Sequence, residues 1–146
     1  MNENLLKKPS IVIDGQNVAG DSKNRQKKGY DWNIALQCAK HHHNDGSDVY
    51  LIIPCWVKKE LPEEMAQYAK LIPIYIGKDP SLDDRQVLGL TAVEDGFYVS
   101  NDKKMSKHSK GDLLSRTWCN DRRIEYTITA DGEYIPQYPP KWHSRK

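Results

Sequence analysis

The sequence predicts an α/β domain with a mostly parallel central sheet of about five strands. Short apolar runs recur along the chain, and stretches with helical spacing of apolar residues separate them. Turn-forming residues stand between most of these segments. Strands that alternate with helices favour parallel pairing, because each helix carries the chain back across the sheet. We therefore expect helices on both faces of the sheet.

Five apolar runs are predicted to be strands. The first covers residues 10–13 and ends at Asp14-Gly15, which is typical of a buried strand followed by a turn. The second covers 48–53, where Pro54 stops it, and the third covers 72–76, where Pro73 makes the start irregular. The fourth and fifth cover 97–99 and 125–129.

Four segments are predicted to be helices: 31–43, 62–70, 81–93 and 112–120. The second has a proline in its first turn, and the third begins with Ser81 as a cap and two acids in its first turn. We expect residues 1–146 to form a single domain. Its last part, 134–146, is Pro-rich and basic, so one short strand followed by a tail is expected there.

Composition excludes several protein classes. A length of 146 residues fits one core, and the net charge of +2 by itself indicates no partner. Cys38, Cys55 and Cys119 are widely spaced, which argues against a disulfide framework or a Cys-rich zinc site and favours buried or inert thiols. Because the sequence contains neither a signal-peptide pattern nor a membrane-spanning apolar stretch, we expect a soluble protein of the cytoplasm or nucleus, away from membranes.

Four aspartates fall at one edge of the predicted sheet. Asp14 follows the first strand, Asp83 and Asp84 open the helix after the third strand, and Asp102 follows the fourth. The carboxyl ends of parallel strands share one edge, and ligands bind there near the point where the strand order reverses. The alternation of strands and helices therefore predicts a cluster of carboxylates.

Clustered carboxylates indicate a divalent cation, because like charges at short range need compensation. Mg²⁺ prefers oxygen ligands and retains several waters for a substrate. Two such ions about 4 Å apart can activate water and stabilise the leaving oxygen in phosphodiester cleavage. Asn17, three residues after Asp14, is a candidate to orient a metal-bound water or a phosphate through its amide.

Each acid also has an ordinary structural explanation. Asp14-Gly15 fits a hairpin turn, Asp83 and Asp84 fit acids that favour a helix dipole, and Asp102 fits a cap. Each of these explanations must hold independently, whereas a single site accounts for all four positions. We therefore prefer the site.

Basic residues surround the predicted site and suit an acidic substrate. They would contact phosphates and supply affinity without reading sequence, although a solvated charged surface explains each cluster equally well. Trp56 is a candidate to stack on an unpaired base, but we expect it to be buried in the core. The basic clusters are Lys23, Arg25, Lys27 and Lys28; Lys58 and Lys59; and Lys103, Lys104, Lys107 and Lys110.

Three consecutive histidines, His41, His42 and His43, do not make a convincing metal site. Consecutive residues of a helix point in different directions and cannot converge on one ion. We expect a solvated helix C-terminus there, where positive charge is favourable.

Four ordered blocks carry a resemblance to a known family. They are 11–19 (IVIDGQNVA), 54–60 (PCWVKKE), 83–85 (DDR) and 94–102 (EDGFYVSND). Together they resemble NYN-type nucleases of the PIN-like superfamily, most of all the Regnase or MCPIP branch of CCCH zinc-finger endoribonucleases. A weaker similarity continues to about Pro140. The resemblance implies a PIN-like three-layer α/β/α fold.

The resemblance also implies a function and a site. It implies a metal-dependent endoribonuclease that hydrolyses single-stranded or loop RNA with Mg²⁺, for which Mn²⁺ can substitute. We expect a metal-bound water as the nucleophile, with Asp14, Asp84 and Asp102 as ligands and Asp83 as a further ligand or a residue that orients water. Asn17 and Arg85 would position the site, and Arg85 would also contact RNA. The catalytic set is then Asp14, Asn17, Asp83, Asp84 and Asp102.

Two departures from the family pattern leave an alternative open. Ser106 stands where relatives usually carry a further acid, and Asp112 is the nearest candidate to replace it. The loop at 77–82 is short and carries one lysine, where relatives often have a longer basic loop. A catalytically weak or inactive NYN-type domain that binds RNA or protein is therefore the main alternative. No zinc-finger pattern follows, so we expect targeting to come from the domain itself, a partner or a larger parent protein. A homodimer is a further expectation, because relatives in this branch sometimes self-associate.

Two further enzyme classes fit the sequence poorly. Phosphatases of the D-x-D type need an acid at position 16, where Gln16 stands. Dinucleotide binding would require G-x-G-x-x-G after the first strand, and that pattern is absent from the sequence.

Overall fold

The structure, a computed structural model, describes residues 8–20, 30–75, 82–103 and 116–144. Its strands are β1 (Ile11–Asp14), β2 (Val49–Pro54), β3 (Lys70–Ile74), β4 (Phe97–Val99), β5 (Arg123–Ile128) and β6 (Tyr134–Gln137). Its α-helices are α1 (Gly15–Ala19), α2 (Trp32–Asn44), α3 (Met65–Tyr68), α4 (Leu82–Glu94), α5 (Arg116–Arg122) and α6 (Pro140–Ser144). A 3₁₀ helix, Cys55–Glu60, follows β2.

The strands form one sheet in the order β3-β2-β1-β4-β5-β6. Pairing is parallel from β3 through β5, and β6 pairs antiparallel with β5. The chain moves outward from β1 to β2 and β3, then crosses to β4 on the other side of β1. The strand order therefore reverses between β1 and β4, which is the place where such sheets bind ligands.

Apolar side chains alternate between the two faces of the sheet, as strand geometry requires. Ile11 and Ile13 of β1 face one core, which also contains residues of α1, α2, α3 and α6. Val12, between them, faces a second core with Val87 of α4 and Cys119 of α5. Helices thus cover both faces, and the predicted three-layer α/β/α fold with a mostly parallel sheet is confirmed.

The sheet differs in detail from the prediction. It has six strands instead of about five, because the short segment expected near the C-terminus forms β6. The third strand begins at Lys70, two residues before the predicted start, and ends at Ile74. The hairpin explanation of Asp14-Gly15 is wrong, since β1 leads into α1 and its neighbours β2 and β4 are both parallel to it.

The helices also differ. The helix predicted at 62–70 is reduced to Met65–Tyr68, and the 3₁₀ helix at Cys55–Glu60 was not predicted. Residues 140–144 form α6, and its Trp142 is buried against Phe97 and stacks on Tyr138, with ring centroids 4.9 Å and 4.5 Å away.

Among the described residues no helix is long and apolar enough to cross a membrane.

The expectation of a solvated histidine cluster is wrong for its middle member. His41 and His43 are exposed, but His42 is completely buried, and its Nε2 lies 2.8 Å from the Tyr134 hydroxyl. Burial lowers the pKa of His42 to about 3. The histidine is therefore neutral and serves to join α2 to β6.

Several sequence predictions concern residues outside the described ranges. They are the basic loop with Lys23, Arg25, Lys27 and Lys28, the Ser81 cap, the loop at 77–82 except Leu82, the lysines Lys104, Lys107 and Lys110, Ser106, and Asp112. The first half of the helix predicted at 112–120 lies there too, and the described part, α5, covers Arg116–Arg122.

Candidate active site

Three elements bring carboxylates to the edge where the strand order reverses. Asp14 is the last residue of β1, Asp83 and Asp84 lie in the first turn of α4, and Asp102 follows β4 after two residues. The cleft between them has a volume of about 360 Å³. Its lining residues are Asp14, Gln16, Asn17, Gly20, Tyr30, Asp83, Asp84 and Asp102.

Asp14, Asp83 and Asp84 form the tightest group. Each offers one carboxylate oxygen such that all three oxygens lie within 4.8 Å of one another. Asp102 lines the same cleft but stands outside this group. The structure thus brings all four predicted acids to one cleft and places Asp83, more than Asp102, beside Asp14 and Asp84.

Asp14 is the most buried of the four acids, with 4% of its surface exposed. Burial is the largest cause that raises its pKa, and the charges of Asp84 and Asp83 add to it, so the pKa reaches about 8. The hydrogen bond from Ser100 and the backbone N–H of Asn17 oppose this rise. An ionised Asp14 therefore needs positive charge beside it.

Ser100 connects two of the acids. Its hydroxyl donates to Asp14 Oδ2 at 3.2 Å, and its oxygen accepts the backbone N–H of Asp102 at 3.1 Å. Ser100 is itself fully buried. It therefore fixes the end of β4 against the end of β1.

Asn17 is held from two directions. Its side-chain oxygen accepts the backbone N–H of Asn101 at 2.9 Å and lies 2.8 Å from the hydroxyl of Tyr126. Asn101 in turn pairs with the backbone of Tyr126, donating at 3.0 Å and accepting at 2.9 Å. The oxygen of Asn17 is thus used to hold the site, and its amide nitrogen is the group that can face a ligand.

Five further residues of the site were not predicted from the sequence: Ser100, Asn101, Tyr126, Gln16 and Tyr30. Gln16 donates to the Tyr30 hydroxyl at 3.3 Å across the cleft mouth. Ser100 could have been predicted, because it is a polar residue directly after the fourth strand and two positions before Asp102. Tyr126 carries no such signal, because only the register of β5 brings it to Asn17.

Glycine is required at two points beside Asp14. A Cβ on Gly15 would lie 2.5 Å from the carbonyl oxygen of Ile52, and one on Gly20 would lie 2.9 Å from the Tyr30 ring. Such distances do not occur in folded proteins without movement of a neighbour. The first glycine lets α1 begin close against β2, and the second lets Tyr30 close one side of the cleft.

Four of the basic residues predicted to contact RNA lie within the described ranges, and each follows or flanks an element that ends at this edge. Lys58 and Lys59 are exposed on the 3₁₀ helix, and Arg85 is half-buried on α4 next to Asp84. Lys103 is exposed, with its Nζ 3.8 Å from a Glu125 carboxylate oxygen.

One expectation about a side chain on the 3₁₀ helix is wrong. Trp56 was expected in the core, but 57% of its surface is exposed, because Val57 is the residue of that helix that packs inward. Cys55 is also exposed, whereas Cys38 and Cys119 are buried as expected.

The donor set fits a divalent cation. Three carboxylate oxygens converge within 4.8 Å, and the pKa of the buried member, Asp14, is raised first by burial and then by the charges of Asp84 and Asp83. Hard oxygen donors of this kind suit Mg²⁺ or Mn²⁺ and do not suit metals that prefer sulfur. A cation between them would compensate the repulsion.

Comparisons with known proteins place the chain in a family. The family model of the Zc3h12a-like ribonuclease NYN domain matches residues 7–146. A comparison of the sequence with curated proteins gives no match.

Two solved structures of nuclear protein-only RNase P 2 from Arabidopsis thaliana share the fold, with TM-scores of 0.63 and 0.66 at 15% and 18% identity. They cover 92% and 94% of this chain but only 30% and 31% of the plant chains. The chain therefore spans about a third of their length, and at such identities the likeness concerns the fold alone.

Proposed function

Because this chain belongs to the family of Zc3h12a-like ribonuclease NYN domains, we propose that it is a metal-dependent endoribonuclease that cleaves single-stranded or loop RNA. The resemblance recognised in its four sequence blocks is confirmed by the family match. Beyond the family, we propose the cation, the internal cleavage and the unpaired substrate.

The observation that carries the proposal is the convergence of three carboxylates within 4.8 Å around the buried Asp14. A domain that only bound RNA would gain nothing from repelling acids at its ligand edge. Asp14 and Asp84 would hold Mg²⁺ or Mn²⁺, with Asp83 and Asp102 as further ligands or acceptors for water. When bound, the cation lowers the pKa of a coordinated water and neutralises charge on the phosphate.

The other residues of the cleft would position the reacting groups. Ser100 holds Asp14 and the Asp102 backbone in fixed relation, and Tyr126 and Asn101 hold Asn17. The amide nitrogen of Asn17 would then donate to a phosphate oxygen or a water. Such fixed donors favour the transition state because they need no rearrangement during the reaction.

The substrate would be held mainly by lysine contacts to phosphates, which provide affinity without sequence reading. The described candidates are Lys58, Lys59 and Lys103, with Arg85 as a further cation, and the sequence offers the basic clusters at 23–28 and 104–110 as additional candidates. The open cleft suits a strand whose phosphate can approach Asp14. We place the protein where RNA is found, in the cytoplasm or nucleus.

The decisive experiment uses a circular and a linear single-stranded RNA of the same sequence. Wild type and Asp14→Asn are compared with Mg²⁺, with Mn²⁺ and with EDTA. We expect both RNAs to be cut with either metal, neither to be cut in EDTA, and the variant to be inactive. Cleavage of the circle shows internal attack, because a circle has no end for an exonuclease.

Asp131→Asn is the matched control, since Asp131 is an exposed residue of the turn between β5 and β6. It should cleave like wild type. If folded wild type binds the linear RNA without cutting it in either metal, the proposed reaction is wrong and the domain is an RNA-binding module. Cleavage that persists in EDTA would exclude the metal.

A further inference from the structure

Two exposed aromatic rings beside the acidic cleft have no part in the proposed reaction. Trp56 is 57% exposed and Tyr75 is 79% exposed. Single apolar residues scattered over a surface need no explanation. Trp56 and Tyr75 differ from such scattered residues because each lies just after the end of a strand. The two strands, β2 and β3, are neighbours whose ends lie at the same edge of the sheet.

The register of the sheet fixes their positions. Pro54 at the end of β2 pairs with Ile74 at the end of β3. Trp56 follows Pro54 on the 3₁₀ helix, Tyr75 directly follows Ile74, and the 3₁₀ helix contacts both strands. The two rings therefore lie on adjacent parts of one edge.

The same edge holds the acidic cleft. Asp14 pairs with Ile52 of β2, and β3 is the next strand beyond β2. Neighbouring strands are about 4.8 Å apart, so the end of β3 lies roughly 10 Å from the end of β1. A polynucleotide strand across this edge would pass the aromatic rings within a few nucleotides of the carboxylates.

The 3₁₀ helix is anchored without Trp56. Val57 is fully buried in the core that packs against α1 and α2. Trp56, Lys58 and Lys59, on either side of it, are exposed. The indole and two ammonium groups are thus presented to solvent together, by a segment whose own packing does not require them.

We propose that Trp56, Tyr75, Lys58 and Lys59 form a stacking surface for the bases of an unpaired RNA strand that enters the acidic cleft. Aromatic rings that stack bases beside cations that contact phosphates are the usual means of binding single strands. A duplex keeps its base faces covered, so this surface selects unpaired RNA. The inference rests on the proposed function and deepens it by assigning the substrate class to named residues.

The test measures binding in EDTA, where hydrolysis does not compete. Three labelled ligands of equal length are compared by fluorescence anisotropy: a single-stranded RNA, its blunt duplex, and an abasic ribose-phosphate strand that keeps the phosphates and lacks the bases. Wild type should bind the single strand best. Tryptophan fluorescence should be quenched as well, because Trp32 and Trp142 are buried and Trp118 is half-buried, whereas Trp56 is open to the ligand.

Trp56→Ala and Tyr75→Ala should each weaken binding of the intact single strand by about 5-fold or more, and leave the abasic strand nearly unaffected. Trp56→Phe and Tyr75→Phe should recover most of the loss, since a ring remains. Val93→Ala is the matched control, because Val93 is 81% exposed at the far end of α4.

Equal affinity of wild type for the intact and the abasic strand, or unchanged binding in both alanine variants, overturns the stacking surface. A change of oligomeric state in Trp56→Ala by sedimentation, with RNA affinity unchanged, would make this edge a protein interface instead. Cleavage is measured separately with Mg²⁺. An active enzyme without ring-dependent binding refutes only the surface, and ring-dependent binding without cleavage refutes only the nuclease.

Discussion

The side-chain oxygen of Asn17 lies 2.8 Å from the hydroxyl of Tyr126, although the two residues are 109 positions apart in the sequence. The same hydroxyl also lies 3.0 Å from the carbonyl oxygen of Asn17. Tyr126 itself is buried and pairs through its backbone with Asn101. The start of α1 is thus attached to the end of β4 through β5.

We predict that Tyr126→Phe lowers kcat several-fold and leaves KM nearly unchanged. The variant keeps the ring and its packing but removes a hydroxyl that orients Asn17, and one such hydrogen bond contributes about 0.5–1.5 kcal/mol. The measurement is steady-state cleavage of a single-stranded RNA.

Tyr134→Phe is the matched control, because that hydroxyl meets His42 and has no contact with the cleft. It should leave kcat unchanged. A Tyr126→Phe enzyme with wild-type kcat would show that Asn17 needs no such support, or has no part in the reaction.

A second prediction is that Asp14→Asn folds, and that in EDTA it is at least as stable as wild type at pH 8. The folded-state pKa of Asp14, about 8, lies above its ordinary value of 3.8, so the folded chain binds a proton that the unfolded chain has released. Protonated Asp14 therefore stabilises the wild-type fold at low pH, and this contribution is lost as the pH rises from about 4 to 8. The asparagine removes that dependence.

Thermal unfolding at pH 5 and pH 8 measures the effect. Asp131→Asn, an exposed substitution, should behave like wild type at both pH values. If Asp14→Asn unfolds the domain, the acid is structural and the site is wrongly assigned.

A third prediction concerns salt. Replacing Lys103, Lys104 and Lys107 by glutamine should weaken RNA binding at low salt and lower the slope of log K against log salt by about 0.7 for each lost phosphate contact. The measurement is anisotropy of a labelled single strand over a range of salt concentrations.

The matched control replaces three lysines toward the opposite edge of the sheet, Lys8, Lys40 and Lys70, which should leave the slope as in wild type. If the slope is unchanged in the first triple variant, the basic segment after Asp102 does not contact RNA.

A fourth prediction is that His42 destabilises the fold in mild acid. Its pKa is about 6.5 in the unfolded chain and about 3 in the folded chain, so between these pH values the unfolded state binds more protons. Stability therefore falls as the pH drops below about 6.5, by about 2 kcal/mol at pH 5.

Urea unfolding at pH 8 and pH 5 checks this. The quantity compared is the unfolding free energy at pH 8 minus that at pH 5. It should be about 2 kcal/mol lower in His42→Gln than in wild type. It should be unchanged in His43→Gln, whose histidine is exposed in wild type. Equal differences in all three proteins would mean that His42 can be protonated in the folded state.

The positions of the acids were predictable from the sequence, because they depend only on the alternation of strands and helices. Asp14, Asp83, Asp84 and Asp102 reach one cleft as expected. Their distances were not predictable, since sequence spacing does not give the position of α4 relative to β1, and the structure places Asp83 with Asp14 and Asp84 within 4.8 Å.

The burial of His42 could have been predicted from helical spacing, although the sequence was interpreted otherwise. It lies three residues after Ala39 and seven after Ala35, so all three occupy one helix face, and the structure buries all three. The charge usually favoured at a helix C-terminus suggested the opposite. Here the tyrosine hydroxyl of β6 satisfies the ring, and a partner 92 positions away cannot be read from local spacing.

Trp56 shows the reverse case. Its size favoured burial, but a 3₁₀ helix of six residues has too few positions to reveal a periodicity, and Val57 takes the inward place.

Likewise Asp14-Gly15 matches the dipeptide of a hairpin. The glycine is needed for another reason, the close approach of Ile52.

The attachment of Asn17 to Tyr126 also has a consequence for protein synthesis. A nascent chain that has left the ribosome only as far as α4 already carries Asp14, Asp83 and Asp84, yet it lacks β4, which holds Asp14, and β5, which holds Asn17. The cleft can therefore be complete only after residue 126 has also left the ribosome. Until then the polypeptide carries unassembled acids beside the messenger and ribosomal RNA that produce it.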